Sequence, residues 1–256
     1  MKSIALLILL CIGVGASLLK DSIFSKNLNS LNEGLNYQKI SLKNPNWKIL
    51  NVTSNNSWNI KAMEAFRGKE KDKIMLLKPL IEIVSSGGFF HKAEARLGEI
   101  NTSKKILSLK KEAIITTLNS EENYELKSIQ IDIDGVKDKI SSDFPTRFST
   151  TDLFLEAKRF ILEKETKETT KITFVDSRIL KLDKDGKEEL FGKSRIMKFF
   201  PNSNLLILIN SAELTQKDVT IQADEILYDI LKRKILSSKG SKLINKSWNG
   251  IICFKS

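Results

Sequence analysis

The chain has 256 residues, of which 41% are hydrophobic and 29% are charged, and its formal net charge is +11. The hydrophobic share excludes a disordered chain, and the length suffices for one elongated domain or two small ones with a substantial apolar core. With two cysteines, Cys11 and Cys253, and one histidine, His91, the chain has few residues for thiol or histidine chemistry.

An apolar segment runs from Ile4 to Leu19 and is bounded by Lys2 and Lys20. With Lys2 on the cytoplasmic side, the positive-inside bias sends the rest of the chain across the membrane. The segment is slightly shorter than the ~17 to 25 residues of a usual spanning helix, and Val14-Gly15-Ala16 resembles a signal cleavage site. Leu18 and Leu19 extend the apolar run past that site, which favours an uncleaved single-pass anchor over a cleaved signal.

The positive charge is carried by 35 lysines and 7 arginines. A basic surface attracts nucleic-acid phosphates through counterion release, but export argues against a nucleic-acid partner. We interpret the lysines as solvated strand faces and guarded sheet edges, with attraction to anionic lipid head groups or phosphorylated glycolipid as the alternative. Cys253 is the only cysteine beyond the membrane segment, so the exported part can form no internal disulfide.

Residues 21–57 are rich in Asn and Ser and are predicted to form a tether. Packing begins where alternate residues from Trp58 to Phe66 predict a half-buried strand. The next strand, 74–84, contains Pro79, which indicates an edge position or a bulge. Three more strands are predicted at 89–97, 105–109 and 113–118.

The middle of the chain continues the strand pattern. Along Tyr124 to Ile133, Tyr124 and Leu126 are predicted on one face and Ile129, Ile131 and Ile133 on the other. Asp134-Gly135 then predicts a hairpin. Leu153 to Leu162 would also suit a short helix, but its β-rich surroundings favour a strand.

After Val175 the pattern restarts as short strands joined by small turns, one of them at Asp183 to Gly186. These strands are predicted at residues 179–182, 189–191, 194–200, 204–209, 213–215, 219–223, 225–228 and 234–237. A meander without long helices favours a sandwich, jelly roll or open roll over an α/β fold. We predict an all-β protein, an open β-jelly roll made of a twisted two-sheet roll, after one N-terminal transmembrane helix.

The sequence contains no recognisable catalytic constellation. His91 is the single histidine, which disfavours a zinc site or a Ser-His-Asp triad and predicts a structural strand residue. Asp132 to Gly135 and Asp183 to Gly186 resemble calcium loops but lack the remaining acidic ligands, so hairpin turns are predicted there. We predict no catalytic residue, no metal site and no cofactor. A secreted hydrolase whose scattered carboxylates meet in one cleft is the enzymatic alternative.

An open roll has two features that bear on function, its interior and its edges. Two splayed sheets enclose a groove lined by alternate residues, which could hold acyl chains without specific polar contacts. The unpaired terminal strands could accept a strand from another protein and extend the groove between subunits. The alternatives are a closed core without a groove, and an envelope β-scaffold that assembles through edge strands without transporting lipid.

Several segments resemble a known family of export proteins. They are the N-terminal anchor, WNIKAMEAF at 58–66, IMLLKPLIEIV at 74–84 with Gly87-Gly88, AEARLGEIN at 93–101, KKILSLKKEAIITT at 104–117 and NYELKSIQIDI at 123–133. Together they are similar to the membrane-anchored periplasmic component of the lipopolysaccharide export bridge, the LptC-like family.

Residues 203–240 are similar to the related OstA/LptA-like repeat, most sharply at Ile221-Gln-Ala223-Asp224 and Tyr228-Asp229. The chain departs from that pattern at Asn210-Ser211-Ala212, where the repeat usually has a Gly-Asn turn. The two resemblances cover residues 58 to 240.

The resemblance implies a non-enzymatic lipid-transfer protein of the cell envelope that serves outer-membrane biogenesis. It would reside in the inner membrane with most of its chain in the periplasm. It would accept lipopolysaccharide from the permease subunits of an inner-membrane ABC transporter and pass it to a periplasmic bridge protein of the OstA/LptA type. ATP would be hydrolysed by the partners.

The implied division of the chain is an anchor or signal at 1–20, a tether at 21–57, an LptC-like β-roll at 58–175, an OstA/LptA-like continuation at 176–245 and a tail at 246–256. The residues predicted to face the lipid are Ile81, Ile83, Phe89, Leu107, Leu109, Ile129, Ile131, Ile207, Ile209 and Ile226. A register slip of one residue would exchange the two faces of any of these strands.

Overall fold

The computed structural model describes residues 41–51, 56–67, 70, 72–84, 90–118, 123–164, 169–245 and 250–253. The predicted anchor, most of the tether and Phe89 lie outside these residues. Within them, no helix combines the length and apolarity needed to cross a membrane.

The described residues are almost entirely β-strand, with one short 3-10 turn at Pro201–Ser203, which confirms the all-β prediction. The strands are β1 Ser41–Lys43, β2 Asn46–Asn51, β3 Asn56–Lys61, β4 Glu64–Arg67, β5 Lys73–Leu77, β6 Leu80–Val84, β7 Phe90–Glu94, β8 Leu97–Asn101, β9 Ile106–Leu118, β10 Asn123–Asp134, β11 Lys139–Ser142, β12 Thr146–Ser149, β13 Leu153–Ala157, β14 Arg159–Lys164, β15 Thr170–Leu182, β16 Glu188–Phe200, β17 Leu205–Gln216, β18 Val219–Asp229, β19 Lys234–Lys239, β20 Lys242–Asn245 and β21 Gly250–Cys253.

All strand pairs are antiparallel, and the pairing divides the roll into two walls. In the first wall the strands follow the order β1, β4, β5, β8, β9, β10, β11, β14, β15, β16, β17, β18 and β19. Six of these strands are shared with the second wall. The first wall contains the first halves of β9, β15 and β17 and the second halves of β10, β16 and β18. In the second wall the strands follow the order β2, β3, β6, β7, β9, β10, β12, β13, β15, β16, β17, β18, β20 and β21. This wall contains the second halves of β9, β15 and β17 and the first halves of β10, β16 and β18.

A corner joins the two walls, and each long strand bends where it crosses the corner. Several non-glycine residues there adopt left-handed backbone angles, among them Lys78 with φ 49°, the pair Lys111 and Glu112, and the pair Asn210 and Ser211. L-residues adopt this conformation at a cost, so the bends are enforced by the pairing on either side. Asn210-Ser211 is the position where the related repeat has a Gly-Asn turn, and its left-handed geometry explains that preference.

Small buried side chains follow the corner. All of them are buried, and they are Ala62, Ala93, Ala113, Ser128, Thr146, Ala157, Ser177, Ser194, Ala212 and Ala223. Ala62 follows β3, and the other nine come from β7, β9, β10, β12, β13, β15, β16, β17 and β18, which are successive neighbours in the second wall, so the row follows most of the corner.

The corner also corrects two predicted strands. The alternation from Trp58 continues only to Ala62, and beyond the break at Met63 the buried residue is Ala65 rather than Glu64 or Phe66. The predicted strand 74–84 is likewise two strands, β5 and β6, separated by Lys78 and Pro79. Pro79 therefore lies at an interruption of the strand, as its missing N–H predicts.

The predicted hairpins at Asp134-Gly135 and Asp183–Gly186 are confirmed. In each turn the aspartate closes the loop. Asp134 Oδ1 accepts hydrogen bonds from the N–H groups of Val136 and Lys137, and Asp183 Oδ1 accepts them from those of Asp185 and Lys187.

The segment 153–162 is β-strand, as predicted, with a break at Lys158. The proposed division between residues 175 and 176 falls inside β15, at Asp176, where this strand crosses the corner.

Candidate lipid-binding interior

The two walls enclose one apolar interior. A single cluster of buried residues extends along it from Trp58 to Ile230 and includes side chains of both walls. Such a surface is suited to acyl chains, which need apolar area and no specific polar partner.

Six of the predicted lipid-facing residues point into this interior. They are Ile81, Ile83, Leu107, Leu109, Ile131 and Ile226, and all are buried. They lie on four strands, β6, β9, β10 and β18, which belong to both walls, so the fold brings these six side chains together in the interior.

Three predicted residues do not lie on the inner face. Ile129 is 62% exposed, because a bulge between Ser128 and Gln130 turns it outward. It lines a cavity of about 780 Å³ on the outer side of the corner. The same bulge puts Tyr124, Leu126, Ile131 and Ile133 on one inner face, whereas the sequence predicted two different faces.

Ile207 and Ile209 are half-buried on the outer face of β17. Leu206, which precedes Ile207, and Leu208, which lies between the two isoleucines, are fully buried. The predicted register was therefore wrong by one residue. The run LLILI is apolar at every position, so alternation gave no indication of which face points inward.

An aromatic cluster joins the walls in the middle of the interior. The ring of Phe148, from the second wall, lies 5.6 Å from that of Phe174 and 5.4 Å from that of Phe199, both from the first wall, and the two contacts are edge-to-face. Tyr124 lies 5.4 Å from Phe148. Sequence reasoning missed the three phenylalanines, although Phe148 lies between the polar residues Arg147 and Ser149.

A small polar group lies among the apolar residues of the second wall. His91 is buried, and its Nδ1 is 2.6 Å from Thr117 Oγ1. Its position inside strand β7 confirms that it is a strand residue. Tyr124 is paired opposite Thr117 in the β9–β10 ladder, and burial raises its pKa to about 12.

Charged side chains meet at the mouth of the roll, the side opposite the corner. Lys181 is the only lysine or arginine that is buried among the residues that the structure describes, with 5% exposure. Its Nζ lies 3.5 Å from Asp152 Oδ2 and 3.5 Å from Glu189 Oε2. Glu189 Oε1 is 2.7 Å from Arg233 Nη1, which belongs to the turn between β18 and β19. We call Asp152, Lys181, Glu189 and Arg233 the mouth cluster.

The Tyr228-Asp229 pair borders the mouth cluster. Burial, followed by the charge of Glu189, raises the pKa of Tyr228 to about 12. Asp229 caps the turn to β19, and its pKa is lowered chiefly by the backbone N–H of Lys232. Among the described residues, no group of three or more His, Cys, Asp or Glu side chains is arranged to hold a metal ion.

The two walls and the apolar interior that they share define the structural class of this protein, an open two-walled antiparallel β-roll. Comparison with protein-family models matches residues 5–173 to lipopolysaccharide-assembly, LptC-related proteins, and residues 151–234 to the LptA/(LptD N-terminal domain) LPS transport proteins. The first match covers more than half of the chain, so the protein belongs to the LptC-related lipopolysaccharide-assembly family. The LptC and LptA-like families are components of the periplasmic bridge that transports lipopolysaccharide.

A matching solved structure is that of LptH from Pseudomonas aeruginosa, described as the LptA homologous periplasmic component of the conserved lipopolysaccharide transport device. The two chains are 13% identical with a TM-score of 0.41, and the match covers 45% of this chain and 82% of LptH. Comparison with curated proteins gives no match.

Proposed function

We propose that this protein is held in the inner membrane by residues 1–20 and takes lipopolysaccharide from the permease subunits of an ABC transporter. The acyl chains pass through the interior of the roll to a periplasmic bridge protein of the OstA/LptA type. The chain itself catalyses no reaction, and partner subunits supply the energy of ATP hydrolysis. The observation that carries this proposal is the apolar interior, which is continuous between the two walls.

The acyl chains contact residues from both walls. Ile81 and Ile83 on β6, Leu109 on β9 and Ile131 on β10 belong to strands near the N-terminal end of the roll, and Leu208 and Ile226 to strands near the C-terminal end. Phe148, Phe174 and Phe199 lie between these two groups in strand order. The aromatic rings therefore have to move aside, or be bypassed at the mouth, as lipid passes.

The ends of the roll are the docking surfaces of this proposal. In the described part of the chain, β1 and β2 each pair on one side only, and so do β19 and β21. Unpaired backbone groups on such edges accept a strand from a partner. The β1–β2 end follows the membrane anchor and meets the transporter, and the β19–β21 end meets the bridge protein.

Photocrosslinking in living cells tests the lipid path, with a light-activated residue placed at one position at a time. The interior positions are Ile83, Leu109, Ile131, Leu206 and Leu208. Ile207 and Ile209 are matched controls, because they neighbour the last two positions in the same strand but lie on the outer face. Lipopolysaccharide adducts are expected at the interior positions and not at the two controls.

Equal adducts on both faces of β17, or none at any interior position in a correctly localised protein, would contradict a lipid path between the walls. The same residue placed at Leu42 on β1 and at Leu236 on β19, both exposed, tests the two ends. Adducts with a permease subunit are expected from Leu42 and adducts with an OstA/LptA-type protein from Leu236.

A further inference from the structure

A pocket at the mouth of the roll connects the mouth cluster with the aromatic cluster. It encloses about 220 Å³ between the walls, with Asp152 and Lys181 from the second wall and Arg233 from the first wall in its lining. Phe199 also lines the pocket. The pocket therefore places charged groups and apolar side chains, the buried Phe199 among them, around one space, which is the arrangement that an amphiphile requires.

We propose that this pocket binds the phosphate group of a lipid, with Arg233 and Lys181 as its cationic partners and the lipid chain directed toward Phe199. The proposal rests on the proposed function and adds where the polar head of the lipid is held. Arginine suits this role because its planar guanidinium can donate two parallel hydrogen bonds to a phosphate.

The ion pairs of the mouth cluster are arranged so that a phosphate can replace one of them. Arg233 is half-exposed, whereas Glu189 is nearly buried, so the arginine side of their pair is open to an incoming anion. Glu189 Oε2 is buried and accepts no hydrogen bond from any residue that the structure describes, although it lies 3.5 Å from Lys181 Nζ. When a phosphate pairs with Arg233, the Glu189 carboxylate can move closer to the Lys181 ammonium and pair with it. No buried carboxylate is then left without a cation.

Lys181 supports the same assignment. An ammonium group that is removed from water needs close partners, and its two carboxylate contacts are both as long as 3.5 Å. A phosphate oxygen in the pocket would be a further partner for it.

The turn that carries Arg233 also has the composition of a lipid-contacting segment. Leu231 is 70% exposed, lines the pocket and is followed by Lys232, Arg233 and Lys234. Consecutive cations beside an exposed leucine provide contacts for the head and for the upper chain of an anionic lipid.

Crosslinking at Leu231 in the purified full-length protein in detergent tests the proposal. The probes are bisphosphorylated lipid A and the same lipid with both phosphates removed. The adduct is expected to be about tenfold stronger with the bisphosphorylated lipid, since charge-assisted hydrogen bonds are lost with the phosphates. R233Q should lower it several-fold toward the level of the dephosphorylated lipid, since Lys181 remains as the second cationic partner. K239Q is the matched control, because Lys239 lies on the same hairpin in an exposed pair with Glu225, and it should leave the adduct unchanged.

The E189Q variant is expected to increase the adduct, whereas a damaged fold would decrease it, so misfolding cannot be mistaken for the expected result. Removing the carboxylate that competes for Arg233 should strengthen the Leu231 adduct, and an unchanged or weaker adduct would contradict the exchange. Equal adducts from the two lipids, or an R233Q protein that behaves like wild type, would overturn phosphate recognition.

Excess inorganic phosphate distinguishes the two possible ligands of the pocket, the phosphate group of a lipid and free phosphate. It should weaken the Leu231 adduct of bisphosphorylated lipid A by competing for the same cations. If no lipid adduct forms at Leu231 while inorganic phosphate stabilises the wild type but not R233Q, the pocket is a free-phosphate site and the lipid assignment is wrong. Adducts at Leu109 monitor the proposed function separately, because their loss in every sample would indicate failure of the lipid path itself.

Discussion

The rings of Phe148 and Phe199 lie 5.4 Å apart, centroid to centroid, although the two residues belong to opposite walls of the roll. Strand pairing holds each wall together, but only side-chain contacts hold the walls against each other away from the corner. The Phe148, Phe174 and Phe199 contacts are therefore central to the closed form of the roll.

F199A should destabilise the protein by about 3 to 5 kcal/mol, because a buried ring is removed and the two walls cannot collapse fully into the space. Urea unfolding of the full-length protein, followed by circular dichroism, measures the change. F154A is the control, since Phe154 is exposed on β13, the strand that pairs with β12 and β15, and its expected effect is within about 0.5 kcal/mol. Similar losses for both variants would show that the aromatic cluster does not connect the walls.

The row of small residues along the corner predicts a steric limit. Ala212 is 1% exposed at the point where the walls converge, and A212L should cost about 1 to 3 kcal/mol by overpacking. Q222L places the same side chain on the exposed face of adjacent β18 and should be tolerated. Thermal unfolding of the two variants compares them, and an A212L protein as stable as wild type would mean that the corner has free space.

Ser211 predicts a stabilising substitution. Its φ of 56° is left-handed, so S211G should relieve strain and raise the free energy of unfolding by about 0.5 to 1 kcal/mol. S237G is the matched control in exposed, extended β19 and should lower stability by a similar amount. Denaturant titration gives both values, and a loss of stability in S211G would be inconsistent with a left-handed corner.

The two buried tyrosines predict a loss of stability in alkali. Burial raises the pKa values of Tyr124 and Tyr228 from 10.0 to about 12, so the folded state holds their protons more tightly than the unfolded state. Their contribution is complete below pH 10 and is lost as the pH rises from 10 toward 12. The melting temperature should therefore fall across this range, and less steeply in the Y124F and Y228F variants. Ultraviolet titration should show both phenols ionising with unfolding, and ionisation near pH 10 in the folded protein would contradict their burial.

Much of the architecture followed from local patterns. Period-2 alternation predicted the all-β roll, and the Asp134-Gly135 and Asp183 to Gly186 turns predicted hairpins, because turn chemistry depends on a few adjacent residues. The interior positions Ile81, Ile83, Leu107 and Leu109 were also predictable, since each lies in a strand segment that does not cross the corner.

The corner was not predictable in the same way. At Met63, Ile129 and Asn210-Ser211 the corner interrupts the alternation of inward and outward side chains. Residues beyond each interruption therefore point to the face opposite to the one that an uninterrupted strand would give them. The error at Ile129 arises at this line, whereas those at Ile207 and Ile209 arise because the run LLILI is apolar at every position and does not indicate which face points inward. Pairs of polar residues between apolar runs, such as Lys111-Glu112 and Asn210-Ser211, mark the corner in the sequence and could have located it.

The sequence by itself determined the class of the protein: strands of a given length, the turns between them, an apolar face on most strands, and the pattern of an LptC-related lipopolysaccharide-assembly protein. Tertiary structure decided which side chains meet. Glu189 and Arg233 are 44 residues apart and come together only because the walls fold over each other at the mouth. Alternation is a local property of the backbone, whereas a contact between walls depends on the whole path of the chain around the corner.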